Sequence, residues 1–149
     1  MRIKEKNKFK KIVFSPQVKV GVVVARFNQI ITDQILEQAL EALSDCKIKK
    51  QNILVVSVPG SMEIPVALLR LAKTKKFDCL LAIGCVMRGE TKHFDYVCKM
   101  AQEGILKVAL DNNIPIGFGI LTVNNLKQAL ARVGIGKDAV LAAVELSKI

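Results

Sequence analysis

The run from Lys19 to Ala25 constrains the fold more than any other stretch of this chain. It reads KVGVVVA, an almost uninterrupted series of apolar residues in which the β-branched valine dominates. Such runs are typical of strands buried on both faces, which occur in parallel sheets covered by helices. From about residue 28 to residue 46 the apolar residues then recur at helical spacing. The stretch therefore predicts a β-strand followed directly by an amphipathic helix.

This strand–helix unit repeats along the chain. Apolar runs at 53–58, 79–86 and 116–121 predict three more strands, and helical patterns follow them near 61–72, 93–109 and 124–132, with a last helix at 137–147 after two glycines. The alternation predicts right-handed crossovers and a three-layer α/β sandwich, with a four-stranded parallel sheet flanked by helices. Residues 12–14 predict a short N-terminal strand, which pairs in its own sheet or at the edge of a neighbouring copy.

The chain carries a net charge of +10, and the excess is unevenly placed. Residues 1–11 contain six lysine or arginine residues against one glutamate, so we expect a basic tail over 1–11 ahead of one domain over 12–149. A solvated arm is the favoured interpretation, and contact with nucleic acid or another anionic surface is the alternative. The chain has no Trp, one Tyr and no run of aromatic residues interleaved with the basic ones, which argues against nucleic acid as a partner.

Cysteine and histidine usage argues against a metal site. The four cysteines, at 46, 79, 85 and 98, show no CxxC spacing and fall largely on apolar segments. They predict reduced core residues of a cytoplasmic protein, since disulfides are rare in that compartment. With a single histidine, no zinc-binding cluster is expected. No apolar run reaches the ~18 residues of a membrane helix, and the N-terminus lacks the pattern of a signal peptide.

Polar or unusual residues follow each predicted strand. The exits are 27–28, 60–63, 88–93 and the end of the fourth strand near 118. Because the carboxyl ends of parallel strands share one edge of a sheet, these exits predict a ligand site there. Phe27 either packs under the next helix or offers a flat face to a planar ring, and the residues alone leave both open.

The stretch from Gly89 to His93 opens a predicted helix, whose free N–H groups suit a phosphate or carboxylate. The simpler interpretation is that Glu90 and Thr91 only cap that helix. His93 is either a proton donor and acceptor or an ordinary surface histidine. Arg132 is either an ordinary charge at a helix end or a guanidinium that binds phosphate through two N–H groups. A nucleophilic Cys85 would need His93 as its base, which makes that hypothesis the weakest.

Four segments together resemble the lumazine synthase family. They are ARFN at 25–28, VPGSMEIP at 58–65, GCVMRGETKHFDYV at 84–97 and PIGFGILT at 115–122, within a resemblance that runs from about residue 18 to 145. The resemblance implies a flavodoxin-like fold and an enzyme without metal or organic cofactor. It implies condensation of 5-amino-6-(D-ribitylamino)uracil with 3,4-dihydroxy-2-butanone 4-phosphate, to give 6,7-dimethyl-8-ribityllumazine, phosphate and water. It also implies a homopentamer, or an assembly of pentamers, with sites shared between neighbours.

The resemblance assigns one group of residues to the pyrimidine and its ribityl chain. The exit of the first strand and a residue of the neighbouring subunit would stack on the pyrimidine and line its pocket. The second exit would hold the ribityl chain, and the third would form backbone hydrogen bonds with the pyrimidine. These residues are Phe27, Asn28, Ser61, Met62, Glu63, Cys85, Val86, Met87 and Phe118.

A second group would serve the phosphate substrate and the proton transfers. By the same resemblance, Glu90 and Thr91 offer N–H groups to the phosphate, Arg132 from a neighbour supplies a countercharge, and His93 moves protons. The family has a longer loop after Arg132, with a lysine near the phosphate, and Lys137 is the candidate to replace that lysine. An assembly protein without activity and a basic RNA-binding module are the competing function classes.

Overall fold

A computed structural model describes residues 11–149, and most of the predicted basic tail therefore lies outside the described residues. The four strands are β1 (Val20–Ala25), β2 (Ile53–Val58), β3 (Cys79–Met87) and β4 (Ile116–Val123). The helices are α1 (Gln29–Asp45), α2 (Ile64–Lys73), α3 (His93–Asp111), α4 (Leu126–Leu130) and α5 (Ile135–Leu146). Short 3₁₀ turns at Lys50–Asn52 and Ser61–Glu63 precede β2 and α2.

The sheet is fully parallel, with strand order β2-β1-β3-β4. The starts of three strands are aligned, because Val20 of β1 pairs with both Ile53 and Cys79. The strands β1, β2 and β3 each connect to the next strand through a helix, as parallel strands require. All four strands consequently end at the same edge, and the prediction that their exits share one edge is confirmed.

Two apolar clusters fill the space between the sheet and its helices. One contains Val22, Val24 and side chains of α1 and α5, and the other contains Val23, Ala25 and side chains of α2 and α3. Alternate residues of β1 thus enter opposite clusters, as the period of two in a strand demands. The predicted three-layer α/β sandwich is confirmed, with helices on both faces of the sheet.

Glycine allows a close contact between α1 and α5. The sequence predicts that Gly134 and Gly136 end the preceding helix and that the last helix starts near Lys137, but Gly136 lies inside α5, which begins at Ile135. A Cβ at this position would collide with the carbonyl oxygen of Ile35 on α1. The missing side chain lets α5 approach α1 closely, and this gain in packing outweighs the low helix propensity of glycine.

The helix predicted near 124–132 begins with an asparagine cap. The notable residue is Asn125, the N-cap of α4, whose side chain accepts a hydrogen bond from the N–H of Gln128 at 2.9 Å. The Gln128 side chain accepts in turn from the N–H of Asn124 at 2.7 Å. The two bonds form a reciprocal cap, which fixes where the chain leaves β4.

The predicted N-terminal strand does not form within the chain. Residues 11–15 have no strand pairing, because this segment lies along the helix layer instead of a sheet edge. Val13 packs against the cluster of α1 and α5, and the N–H of Ser15 donates to the carbonyl of Cys46. The predicted burial of the second strand is also wrong: β2 is an edge strand, in which Leu54 and Val55 are exposed.

Candidate functional site

A pocket of about 360 Å³ lies where β1, β2 and β3 end. Nine of the fourteen predicted site residues line it. They are Phe27, Ser61, Met62, Glu63, Cys85, Val86, Met87, Thr91 and His93. Residues from three strand exits therefore meet within a single chain, as the parallel topology requires.

The exits of β1 and β2 are joined by backbone hydrogen bonds. The N–H of Arg26 donates to the carbonyl of Val58 at 2.8 Å, and the N–H of Phe27 donates to that of Pro59 at 3.0 Å. The backbone of Phe27 is thereby fixed, while its side chain is 71% exposed. Of the two interpretations left open by the sequence, packing under the next helix is wrong, and the ring is available to a ligand.

The 3₁₀ turn from Ser61 to Glu63 forms a second wall of the pocket. Ser61 is buried and lies against Gly84 of β3, where an added Cβ would come within 2.6 Å of the Ser61 hydroxyl oxygen. Gly84 is therefore the residue that makes room for the serine hydroxyl. Pro65 occupies the first turn of α2, a position where its missing N–H costs no hydrogen bond.

The end of β3 presents backbone groups to the pocket. In β3, the N–H and C=O groups of odd-numbered residues point towards β1, as the N–H of Cys79 does. The groups of even-numbered residues point towards β4, as the N–H groups of Leu80 and Arg88 do. The pairing of β3 with β1 runs only to Val24 and Ile83, whereas the pairing with β4 continues to Met87. The backbone from Cys85 to Met87 therefore extends past β1, with one side open to a ligand.

The loop between β3 and α3 provides the part of the site suited to an anion. Residue His93 is the first residue of α3, so the predicted helix start at Gly89 is four residues too early. Within residues 11–149 the N–H groups of Glu90 and Thr91 donate no hydrogen bond, and they lie next to the positive end of the α3 dipole. The Thr91 hydroxyl accepts from the N–H of His93 at 3.3 Å, and both side chains are exposed.

Arg88 holds this loop in place, a role that the sequence analysis did not assign. Its guanidinium lies 4.4 Å from the ring centre of Phe94, 3.6 Å from the carboxylate of Asp95, and 3.2 Å from the side-chain oxygen of Asn124. A cation over an aromatic ring and beside a carboxylate is electrostatically favourable even at the surface. An arginine directly after a buried strand is the signal in the sequence that marks this position.

Five predicted residues do not line the pocket. Asn28 lies behind it and donates through its side chain to the carbonyl of Cys85 at 2.9 Å, and Glu90 flanks the opening. Phe118 is not at the exit of the fourth strand, since it is the third residue of β4 and pairs with Ala82. Its partly exposed ring borders a separate groove with Arg88 and Phe94.

Arg132 and Lys137 border another hollow, between α4 and α5. The guanidinium of Arg132 donates to the carbonyl of Gln128 at 3.0 Å, so in this chain it satisfies the end of α4. Both side chains are exposed. The structure thus brings these two cations together but leaves them, with Phe118, outside the pocket of the same chain.

The pocket contains one thiol, and its chemistry is unsuited to nucleophilic attack. Burial raises the pKa of Cys85 above its ordinary value, so the thiol stays protonated near neutral pH. Among residues 11–149 no group of three or more His, Cys, Asp or Glu side chains has the arrangement of a metal site. The same part of the chain has no helix with the length and hydropathy needed to cross a membrane.

The fold and the pocket together define a class: an α/β protein that binds a small molecule beyond the carboxyl ends of its parallel strands. A family model described as 6,7-dimethyl-8-ribityllumazine synthase matches residues 17–149. The chain therefore belongs to the 6,7-dimethyl-8-ribityllumazine synthase family, whose members are transferases of riboflavin biosynthesis. The match spans all eleven helical and strand elements of the fold and confirms the resemblance drawn from the four segments.

Proposed function

We propose that this enzyme condenses 5-amino-6-(D-ribitylamino)uracil with 3,4-dihydroxy-2-butanone 4-phosphate, forming 6,7-dimethyl-8-ribityllumazine, phosphate and water. The observation that carries this proposal is the pocket of about 360 Å³, which is lined by four kinds of group. They are an exposed aromatic ring, a polar turn, unpaired backbone groups at the end of β3, and a loop whose free N–H groups can bind an anion. A planar, polyhydroxylated substrate and a phosphorylated one require these four kinds of group.

In this proposal the pyrimidine lies between Phe27 and the end of β3. The exposed ring of Phe27 offers a stacking face, and the backbone from Cys85 to Met87 offers donors and acceptors to the edge of a uracil. The turn from Ser61 to Glu63 adds a hydroxyl and a carboxylate, which suit the hydroxyl groups of a ribityl chain.

The phosphate is placed at the loop before α3. The unbonded N–H groups of Glu90 and Thr91 and the positive end of α3 favour an anion there. In the proposed assembly, Arg132 and Lys137 of a neighbouring copy add positive charge, and Phe118 of that copy closes the pocket. The position of all three outside the pocket of their own chain supports a site shared between subunits.

The reaction needs positioning and proton transfer more than it needs a reactive side chain. The primary amine attacks the ketone and water leaves to form an imine. Phosphate is then eliminated, and the ribityl-bearing amine attacks the carbonyl group generated by that elimination, which closes the ring as a second water leaves. Holding two substrates in register can supply about 7–11 kcal/mol of such a barrier. His93, at the mouth of the pocket beside Thr91, is the proposed proton carrier, with a contribution of about 10²–10⁴-fold.

The proposed form in the cell is a cytoplasmic homopentamer or a larger assembly of pentamers. Apolar side chains exposed on α3 support association, because contiguous apolar surface commonly marks an interface. These side chains are Tyr96, Met100, Leu106 and Leu110. All four cysteines are free thiols, which supports a reducing compartment.

The test is to mix the two substrates with the purified enzyme and follow the absorbance of the lumazine. We expect product to form well above the spontaneous rate, in proportion to enzyme concentration. Product at the spontaneous rate alone would reject the enzymatic function and favour an assembly protein that retains only the fold. Light scattering on the same sample separates a pentamer from a larger assembly.

A further inference from the structure

We propose that Asn28 is a positioning residue, which holds the end of β3 in place for the pyrimidine without contacting the substrate. The inference rests on the function proposed above and reassigns a residue that the family resemblance places in the pocket wall. Asn28 is absent from the residues that line the pocket, yet its side chain is bonded directly to Cys85, which does line it.

The backbone of Asn28 is committed to starting α1. It has the left-handed conformation, with φ 59° and ψ 47°, and its carbonyl accepts hydrogen bonds from the N–H groups of Ile31 and Thr32. Asparagine tolerates this conformation better than most residues other than glycine. The backbone therefore turns the chain sharply away from β1, while the side chain remains free to reach β3.

The side chain of Asn28 replaces a backbone hydrogen bond that is missing between β1 and β3. β1 ends at Ala25, and its pairing with β3 stops at Val24 and Ile83, two residues before Cys85. The carbonyl of Cys85 faces the β1 side, where no strand continues. The amide nitrogen of Asn28 donates to it at 2.9 Å and so takes the place that a backbone N–H of a longer β1 would occupy.

This hydrogen bond joins the two parts of the proposed pyrimidine site. Phe27, the stacking residue, is the immediate neighbour of Asn28, and Cys85 begins the strand segment that meets the edge of the ring. A single side-chain amide thus fixes the distance between the stacking face and the backbone donors and acceptors. It also occupies the carbonyl of Cys85, which leaves the backbone groups of Met87 as the open ones on that side.

The first experiment replaces the amide while keeping the backbone conformation. Asn28→Gly keeps the left-handed turn but removes the hydrogen bond. Asn113→Gly is the matched control, because Asn113 is also left-handed, with φ 48°, and its side chain makes no hydrogen bond within residues 11–149. We expect Asn28→Gly to raise the KM for the pyrimidine about tenfold or more. The KM for the phosphate substrate should stay within about twofold, and Asn113→Gly should change neither constant.

The second readout does not depend on activity. Cys85 is only 2% exposed, so its alkylation by iodoacetamide, followed by mass spectrometry of its peptide, reports how firmly the end of β3 is held. The fully buried Cys79 on the same strand is the internal reference. We expect Asn28→Gly to speed alkylation of Cys85 and to leave that of Cys79 unchanged.

Asn28→Asp is the second variant, since it also tolerates the left-handed turn but sets an acceptor against the Cys85 carbonyl. It should raise the pyrimidine KM and speed Cys85 alkylation at least as much as Asn28→Gly. Values for both variants within about twofold of wild type, in both readouts, would overturn the positioning role. A wild-type enzyme that forms no lumazine would reject the proposed function, and Cys85 alkylation would then decide the role of Asn28 alone.

Discussion

The pocket beyond β1, β2 and β3 and the hollow beside Arg132 differ in how complete they are. The pocket gathers an aromatic ring, a serine, a glutamate, a histidine and open backbone groups from one chain. Within the described residues, the hollow is lined by two cations, Arg132 and Lys137, but by no aromatic ring or histidine. The cations are absent from the pocket lining, and the proposed function therefore assigns the two regions to one site shared between neighbouring copies.

The comparison shows which parts of a site follow from local topology. Strand exits of a parallel sheet are brought together by the fold itself, so their residues converge without a partner. Phe118 on β4 and the cations beside α5 do not converge with them in one chain, and in the proposed assembly a neighbouring copy would supply them. The mutations below probe the two regions separately, in order of decreasing expected effect.

His93→Ala should cause the largest loss, because it removes the proposed proton carrier from the otherwise intact pocket. We expect kcat to fall about 10²–10⁴-fold with little change in either KM, since both substrates are still positioned. Steady-state kinetics with Lys92→Ala as the neighbouring control would measure this. An unchanged kcat would remove His93 from the mechanism.

Arg132→Ala should mainly affect the phosphate substrate, whose KM we expect to rise about 10–100-fold through loss of a charge-assisted contact. The KM for the pyrimidine should change little. Co-assembly with His93→Ala subunits provides the sharper test, because in an equal mixture about a quarter of shared sites combine two intact halves. At concentrations of the phosphate substrate below the wild-type KM, mixed assemblies should then exceed both parent variants in activity, and activity at the parental level would show that each site lies within one chain.

Gly84→Ala should disturb the pocket wall by sterics. The added Cβ would lie 2.6 Å from the Ser61 hydroxyl oxygen, so the serine must move. We expect the pyrimidine KM to rise about tenfold and thermal stability to fall. Adding Ser61→Gly should recover stability but not the KM, because the hydroxyl is then absent. Recovery of both would show that the hydroxyl has no role in binding.

Lys47→Gly should have the smallest effect and should leave both regions untouched. Lys47 follows α1 at the opposite edge of the sheet and has φ 62°, a conformation that favours glycine. We expect the free energy of unfolding to rise by up to about 1 kcal/mol, measured by urea denaturation, with unchanged kinetics. A change in either KM would show that this edge is coupled to the site.

The sequence predicts the interior of this fold better than its boundaries. The valines of β1 and the spacing of apolar residues in α1 reflect burial, which dominates folding, and these elements were predicted correctly. The edge position of β2 was missed, because an apolar run looks the same whether its own chain or a second copy covers it. The place of Gly136 inside α5 does not follow from the local sequence, because the contact that requires glycine is with Ile35, which is far away along the chain.

The residues of the candidate site also differ in how well the sequence predicts their positions. Phe27, the turn from Ser61 to Glu63, and His93 follow strands directly, so their convergence could be predicted from strand order. The bond of Asn28 to Cys85 and the contacts of Arg88 depend on side-chain geometry that no periodicity encodes. The roles of Phe118 and Arg132 come from the family resemblance alone, and they stay predictions until an assembly is tested.

The buried cysteines give this enzyme chemical durability. Burial raises the pKa of Cys79 to about 12 and also raises those of Cys46, Cys85 and Cys98. Because the thiolate is the form that oxidants and alkylating agents attack, we expect all four to react slowly near neutral pH. The purified enzyme should therefore keep its activity through storage in air without added reductant, and the partly exposed Cys98 should be the first cysteine to be modified.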